Sequence, residues 1–195
     1  STEDYRRLAE LARAGFLKRA KHNFYKDSLY MVTAKGVREL KASGRHRGLC
    51  ELGDMDYCSY KHDVLVTDIR ILFHKWDYRD WLSERILSRS YEYRRLPDGA
   101  IHHQGKNIAL EYESSAKSKD RYREIFYQHE LDEKLTKVLY VVDTLSLMNK
   151  LIDEASACSK LYFMTMEDLK NFQMNTPVQG IFGRISLHDF MERTE

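Results

Sequence analysis

Two apolar runs, each preceded by a helical segment, constrain the fold of this chain more than any other feature. The run VLYVV at residues 138–142 and the run KLYFMTM at residues 160–166 each have the length and composition of a buried strand. Helical periodicity at residues 118–134 and 145–157 predicts a helix before each strand. Because strands joined through helices pair in parallel, this half of the chain predicts a sheet with helices on both faces.

The preceding segment predicts the remaining strands of the same sheet. Residues 62–76 carry apolar side chains at helical spacing, and residues 81–90 (WLSERILSRS) alternate in polarity as a strand does. Residues 96–102 and 107–113 predict two further strands around a turn at Gly105. The order from residue 62 is therefore helix, strand, strand, strand, helix, strand, helix, strand, which predicts a mixed α/β (α+β) fold with a mixed central sheet.

The first part of the chain predicts a smaller, basic region. A helix that ends at Gly15 is followed by two short strands joined by the loop KHNFYKDS, and a second helix begins at Thr33. Residues 1–50 contain 12 Lys and Arg against 5 Asp and Glu, whereas the remainder has a net charge of −5. A basic first quarter indicates a module that contacts polyanions.

The chain is thus expected to contain two regions and a linker. We predict a DNA-contacting region at residues 1–44, a glycine-containing linker at 45–61 and a core at 62–195, with a short helix and irregular structure from residue 167. No apolar run approaches the roughly 18 residues of a membrane-spanning helix, so no membrane insertion is expected. Three Cys at unpatterned spacing fit a reducing cytoplasm better than a disulfide framework.

Three acids between residues 96 and 119 are the candidate metal ligands. Side chains alternate along a strand, so Glu111 and Glu113 point the same way, and pairing about the turn brings Asp98 beside one of them. Three carboxylates at one point repel each other unless a cation lies among them, and their oxygens suit Mg²⁺ or Mn²⁺. The alternative is that these acids lie on a solvated surface.

Other residues are candidates for the same site. Lys117 and Lys119 follow the acids closely and would stabilise phosphate charge, and Glu84 in the earlier predicted strand would be a further acid. His62 begins the first helix of the core, and His102 shares a strand face with Asp98, so both are expected to line the site. The alternative for each histidine is a hydrogen-bonded structural role.

The motif residues resemble a known nuclease superfamily. Asp98 and the sequence Glu111-Tyr112-Glu113, in this order of elements, are similar to the PD-(D/E)xK superfamily. More narrowly, SERIL, RRLPDG and IALEYE followed by a Tyr- and Arg-rich helix resemble the replication-relaxation proteins of plasmids and mobile elements, near which the MobC-type relaxases of conjugative plasmids belong. The resemblance extends to about residue 166 and implies a restriction-endonuclease-like core.

One position departs from the family pattern. The resemblance matches Asp98 to the motif Asp and Glu111 to the motif Asp/Glu, but Glu113 stands where the family has Lys. Either Glu113 is an extra metal ligand and Lys117 or Lys119 supplies the cation, or the site no longer cleaves.

The element order of residues 1–43 resembles the second half of a winged-helix DNA-binding domain. The matching segments are RRLAELARAGFLKR and LYMVTAKGVREL. The resemblance implies that the helix before Gly15 lies in the major groove and that the hairpin contacts the backbone. It assigns DNA contacts to Arg6, Arg7, Arg13, Lys18, Arg19, Lys21 and Lys26. A full winged helix begins with two further helices, so the region is expected to be incomplete; the alternative is a helix with a solvated basic face.

The relaxase resemblance implies a nick in one DNA strand at a plasmid transfer or replication origin. Mg²⁺ or Mn²⁺ would hold the scissile phosphate, and a metal-activated water is expected as the nucleophile. A covalent tyrosine is the alternative, from Tyr91, Tyr93, Tyr112 or Tyr122. The implied partners are double-stranded and nicked origin DNA, with other mobilization or transfer proteins.

Two other functions remain open. The first is a non-catalytic DNA-binding regulator of replication or transcription on a nuclease-like scaffold. The second is a general PD-(D/E)xK nuclease of defence or repair, which would cleave without an origin.

Overall fold

The computed structural model describes residues 2–20, 29–44, 51, 59–90, 92–155 and 157–193. The chain separates into two compact units, residues 1–60 and residues 61–195. The larger unit is a mixed sheet with helices, which confirms the predicted mixed α/β class. Within the described ranges, no helix has both the length and the apolar character needed to cross a membrane.

The first unit contains the helices and strands that its sequence predicts. Thr33 caps the second helix by accepting from the Gly36 amide, and its hydroxyl donates to the Gly15 carbonyl at 2.6 Å. The two strands pair antiparallel, and the loop between them (residues 21–28) lies outside the described residues. The elements are α1 (Thr2–Arg13), β1 (Leu17–Arg19), β2 (Tyr30–Val32) and α2 (Ala34–Ala42). The predicted linker falls mainly in residues 45–50 and 52–58, which are also outside the described residues.

The second unit is built on a sheet of seven strands, counted over the described residues, whose spatial order equals their order in the chain. The central three strands, β5 to β7, are parallel, and every other neighbouring pair is antiparallel. The strands are β3 (Trp81–Ser83), β4 (Gly99–His103), β5 (Lys106–Glu113), β6 (Lys137–Val142), β7 (Leu161–Thr165), β8 (Pro177–Gly180) and β9 (Gly183–Ser186).

Helices cover both faces of this sheet because consecutive residues of the parallel strands are apolar and point to opposite faces. On β5, Ile108 and Leu110 belong to one buried cluster, which includes residues of α3, α7 and α8, whereas Ala109 belongs to a second cluster with α5 and α6. The helices are α3 (Tyr60–Lys75), α4 (Glu84–Ser90), α5 (Lys119–Glu130), α6 (Leu145–Glu154), α7 (Met166–Phe172) and α8 (Leu187–Glu192), with a 3₁₀ turn at Gln173–Asn175.

The predicted strand at residues 81–90 is wrong over most of its length. Only Trp81–Ser83 pairs with β4, and the chain then forms α4. The Glu84 amide still donates to the Asp98 carbonyl at 3.1 Å, but the next residue on the partner strand is Pro97. Proline has no N–H to continue a ladder, so the pairing stops there, and Leu87 is buried from a helix instead.

The prediction for the tail was incomplete. The short helix is present as α7, but β8, β9 and α8 follow it where irregular structure was expected. These strands have four residues each, and of β8 and β9 only Val178 is a buried hydrophobic residue. The sequence pattern of β8 and β9 is therefore too weak to predict strands. Their formation depends on the neighbouring strand β7, with which β8 pairs.

The glycine after Asp98 fixes the entry into β4. A Cβ built on Gly99 would lie 2.4 Å from a ring carbon of Trp81, the buried aromatic residue at the start of the paired strand β3. Because the indole ring is buried, a side chain at residue 99 would force Trp81 or the backbone to shift, so glycine is the residue that fits here.

We expect the substitution Gly99→Ala to lower the free energy of unfolding by about 1–3 kcal/mol, because the added methyl group overpacks the Trp81 contact. Chemical denaturation of the wild type, Gly99→Ala, Trp81→Phe and the double variant forms a cycle that isolates this contact. A cost of Gly99→Ala that is the same with and without the Trp81→Phe substitution would contradict the assignment.

Candidate active site

The predicted acids face one small pocket at the carboxyl end of β5. Its volume is about 120 Å³, and it lies where β5 ends, α5 begins and the chain enters β4. The pocket is lined by His62, Arg95, Asp98, Glu111, Tyr112, Glu113, Lys117, Tyr122, Ile125 and Tyr140. Four of the five residues predicted as catalytic, and one of the two predicted histidines, are therefore brought together.

Asp98 is fixed by hydrogen bonds from two directions. Its Oδ2 accepts from the backbone N–H of Tyr112 at 2.8 Å, which ties the acid to β5. Its Oδ1 lies 3.0 Å from Nε2 of His62, which reaches the pocket from α3. This hydrogen bond raises the pKa of His62 above its ordinary value, and partial burial acts in the opposite direction.

A buried histidine contacts the carboxylate of Glu111. Its Oε1 lies 3.1 Å from Nε2 of His129, whose side chain is 0% exposed, and 3.6 Å from Nε of Arg95. Because a carboxylate only accepts, His129 donates through Nε2, and its Nδ1 has no hydrogen-bond partner in the described part of the chain. The hydrogen bond donated by the imidazole therefore orients the carboxylate of Glu111.

Glu113 is paired with the lysine that follows it by four residues. The ammonium group of Lys117 contacts Oε2 of Glu113, and the Ser115 amide donates to Oε1 at 3.4 Å. The Lys117 amide donates to the hydroxyl of Tyr122, which holds the loop against α5. Partial burial lowers the pKa of Lys117, while the nearby charge of Glu111 acts to raise it.

Three predicted site residues are not in the pocket lining. Nζ of Lys119 lies 3.1 Å from Glu154, and its side chain is largely exposed. Glu84 is the first residue of α4; burial raises its pKa, with a further contribution from the charge of Asp98. His102 lies near the opposite end of β4, in a second cavity of about 280 Å³ with Asp80.

The basic residues of the first unit are mostly at the surface. Arg6 lies 3.9 Å from both Glu3 and Glu10 along α1, and its side chain is exposed. Arg7, Arg13 and Arg19 are exposed, and Lys18 is half-buried. Lys21 and Lys26 lie outside the described residues.

The tyrosines considered as nucleophiles are engaged elsewhere. The Tyr112 hydroxyl donates to Asp143, and burial raises the pKa of Tyr112. The Tyr122 hydroxyl donates to the Ser115 carbonyl at 3.2 Å, and Tyr93 accepts from Asn107 near the other end of β5. Tyr91 lies outside the described residues. The hydroxyls of Tyr112, Tyr122 and Tyr93 are therefore each hydrogen-bonded within the protein.

Three pocket or supporting residues were missed by the sequence reasoning. Arg95 lies only three residues before Asp98, so its proximity was a usable signal. His129 lies within the helix predicted over residues 118–134, yet its contact with Glu111 depends on how that helix packs. Tyr140 is paired with Glu111 across the parallel β5–β6 ladder, and that register is not readable from the sequence.

The carboxylates of Asp98 and Glu111 are too few to enclose a metal ion, but they could hold one whose remaining ligands are not protein groups. Within the described ranges, no group of three or more His, Cys, Asp or Glu could hold an ion alone. However, Asp98 and Glu111 line the same pocket, and Oε2 of Glu111 has no donor among the described residues. Mg²⁺ commonly takes one or two carboxylates and completes its shell with water and substrate phosphate, so the pair is compatible with such an ion.

We expect a metal-free titration by ¹⁵N NMR to give His62 a pKa above the ordinary 6.5. Because the pKa is raised on folding, the bond to Asp98 stabilises the protein below pH 6.5 and this contribution is lost as the pH rises through the raised pKa. Asp98→Asn should lower the pKa of His62. A His62 pKa that does not respond to Asp98→Asn would contradict the pairing.

Comparison of the chain with family models, with curated proteins and with solved structures finds no match.

Proposed function

We propose that residues 61–195 form a metal-dependent DNA-nicking enzyme of the PD-(D/E)xK type, acting as a relaxase at a plasmid transfer or replication origin. The observation that carries the proposal is that Asp98, Glu111 and Lys117 line one pocket at the end of β5. Two acids and a cation at one point are the groups that phosphodiester cleavage requires.

The order of elements around the pocket supports the same proposal. Helix α3 precedes the antiparallel strands β3, β4 and β5, and α5 then connects β5 to the parallel strand β6. Apart from α4, which lies between β3 and β4, this is the order that the resemblance to the superfamily implies. Asp98 stands immediately before the second of these strands and Glu111 lies in the third, as the motif requires.

The unusual Glu113 is compatible with a working site because of Lys117. The loop after β5 returns Lys117 to the pocket, where its ammonium group contacts Glu113. A cation is therefore present close to the place where the family motif has lysine. Lys117 would stabilise the charge that develops on the phosphate, and Glu113 would hold Lys117 in position.

The remaining pocket residues have roles that follow from their contacts. Asp98 and Glu111 would hold Mg²⁺ or Mn²⁺, which when bound polarises a phosphoryl oxygen and activates water. His62 and the Tyr112 amide orient Asp98, and His129 orients Glu111. The exposed arginines of α1 would bring duplex DNA to the protein through phosphate contacts.

The direct test is relaxation of a supercoiled plasmid that carries the cognate origin, in Mg²⁺ or Mn²⁺. We expect Asp98→Asn and Glu111→Gln each to lower the nicking rate by at least about 100-fold, because charge stabilisation at a metal site contributes several kcal/mol. Asp120→Asn and Glu124→Gln are matched controls, since both acids are exposed on α5, and their rates should be unchanged.

Three results would decide against the proposal. Protein that binds the origin but never nicks it with any divalent ion is not an enzyme of this kind. Equal losses in the control and pocket variants would mean that the pocket is not the active site. Nicking of plasmids irrespective of origin would favour a general nuclease of defence or repair.

A second candidate function is a non-catalytic DNA-binding regulator. It is favoured by the fact that each pocket acid already has a partner within the protein: Asp98 has His62, Glu111 has His129 and Glu113 has Lys117. In that case alanine at Asp98 and Glu111 leaves function intact, whereas alanine at Arg6, Arg7 and Arg13 abolishes DNA binding.

A further inference from the structure

Two hydrogen-bond donors in the pocket have no acceptor within the described part of the protein. They are the hydroxyl of Tyr140 and the Nε–H of Arg95, and both atoms are buried. A buried polar group that lacks a partner costs about 1–3 kcal/mol. Native proteins rarely keep such a group unless a bound molecule satisfies it.

The two donors differ in how they are held. Tyr140 lies on β6 directly opposite Glu111 in the parallel ladder, and the residue is only 3% exposed. The side chain of Arg95 is 25% exposed, so solvent reaches part of it. Its Nε atom is buried and lies 3.6 Å from Oε1 of Glu111, which is too far for a hydrogen bond. Tyr140 therefore lies deep in the pocket, and Arg95 lies nearer its opening.

Tyr140 remains a donor over the working range of pH. Burial raises its pKa well above the ordinary value, and the nearby charge of Glu111 acts in the same direction. A neutral phenol donates through its O–H group and a guanidinium donates through its N–H groups. A bound molecule that satisfies both must therefore supply acceptor atoms.

The size of the pocket and the presence of Arg95 indicate which acceptor fits. A volume of about 120 Å³ is well below the roughly 300 Å³ at which organic ligand sites begin, so the pocket suits one small group. The lining sets His62, Arg95 and Lys117 against three carboxylates, so its net charge alone does not select an anion. The preference for phosphate comes from Arg95, because a guanidinium recognises phosphate oxygens through a planar fork of N–H groups.

We infer that Tyr140 and Arg95 bind the non-bridging oxygens of one phosphate group of a nucleic-acid backbone. The inference rests on the proposed function, since it names the two residues that seat the phosphodiester beside Asp98 and Glu111. The carboxylate of Glu111 would repel such an anion, so divalent cation should strengthen the binding.

The test follows the Arg95 Nε–H signal by ¹H–¹⁵N NMR during titration, with and without Mg²⁺. One arm uses inorganic phosphate and the other a dinucleotide with a single phosphodiester, which separates a free-phosphate site from a backbone site. In wild-type protein both probes should shift the signal saturably, the dinucleotide more tightly. The substitution Tyr140→Phe should weaken both dissociation constants roughly 10- to 100-fold, as expected for one hydrogen bond to a charged group.

Thermal stability separates a binding role of Tyr140 from a structural role, because loss of a structural contact would lower the Tm. Because Tyr140→Phe removes a buried hydroxyl without a partner and keeps the ring, its Tm should equal or exceed that of the wild type. Tyr127→Phe, at an exposed position on α5, should change neither the Tm nor the binding. Arg95→Met, read by amide shifts of pocket residues, should weaken binding to a similar extent as Tyr140→Phe.

The outcomes separate this inference from the proposed function. Equal binding by wild type and Tyr140→Phe, a lower Tm in Tyr140→Phe, or no saturable shift in the wild type overturns the inference. Tighter binding of inorganic phosphate than of the dinucleotide overturns the assignment to a backbone phosphate. Phosphate binding that depends on Tyr140 in a protein that never nicks DNA supports the inference while the proposed function fails.

Discussion

Repulsion among Asp98, Glu111 and Glu113 is the constraint on which the rest of the site depends. Like charges that share a small, partly buried pocket raise one another's free energy unless each is compensated. A different element supplies a hydrogen-bonding or ionic partner for each acid: His62 from α3, His129 from α5 and Lys117 from the loop after β5. Such an arrangement holds each acid in a fixed orientation, which is what a site for a hard cation and a phosphate needs.

The sheet makes this arrangement possible. The antiparallel register between β4 and β5 sets Asp98 beside Glu111, and the Tyr112 amide then fixes the aspartate. The parallel register between β5 and β6 sets Tyr140 on the other side of Glu111. A slip of one residue in either ladder would turn these side chains to the opposite face of the sheet, so the chemistry depends on both registers being correct.

Much of this fold follows from local pattern, and the failures have local causes. The strands β5, β6 and β7 are apolar runs, and the crossover helices carry clear helical periodicity, so the central part of the sheet was predictable. The helix α4 was not, because Pro97 on the neighbouring strand ends the ladder after Ser83, and residues 84–90 give no sign of this by themselves. The strands β8 and β9 were missed because they contain little buried apolar surface of their own.

The site was predictable to the extent that it lies along one stretch of chain. Asp98, Glu111, Glu113 and Lys117 are close in sequence, and alternation along a strand is enough to group the acids. Glu111 and Tyr140 are 29 positions apart and meet only through a parallel ladder, so no local rule could pair them. The contact of His129 with Glu111 likewise depends on how α5 packs against the sheet, which the sequence does not show.

The measurement that tests the account most directly is anomalous X-ray diffraction from crystals of the protein soaked in Mn²⁺. If Asp98 and Glu111 form the metal-binding pair, an anomalous peak should lie in their pocket, within coordination distance of both carboxylates. Crystals of the Glu111→Gln variant should lose this peak under the same soak. A pocket that stays without Mn²⁺ while the ion binds elsewhere on the protein, or a peak that survives in Glu111→Gln, would contradict the central claim.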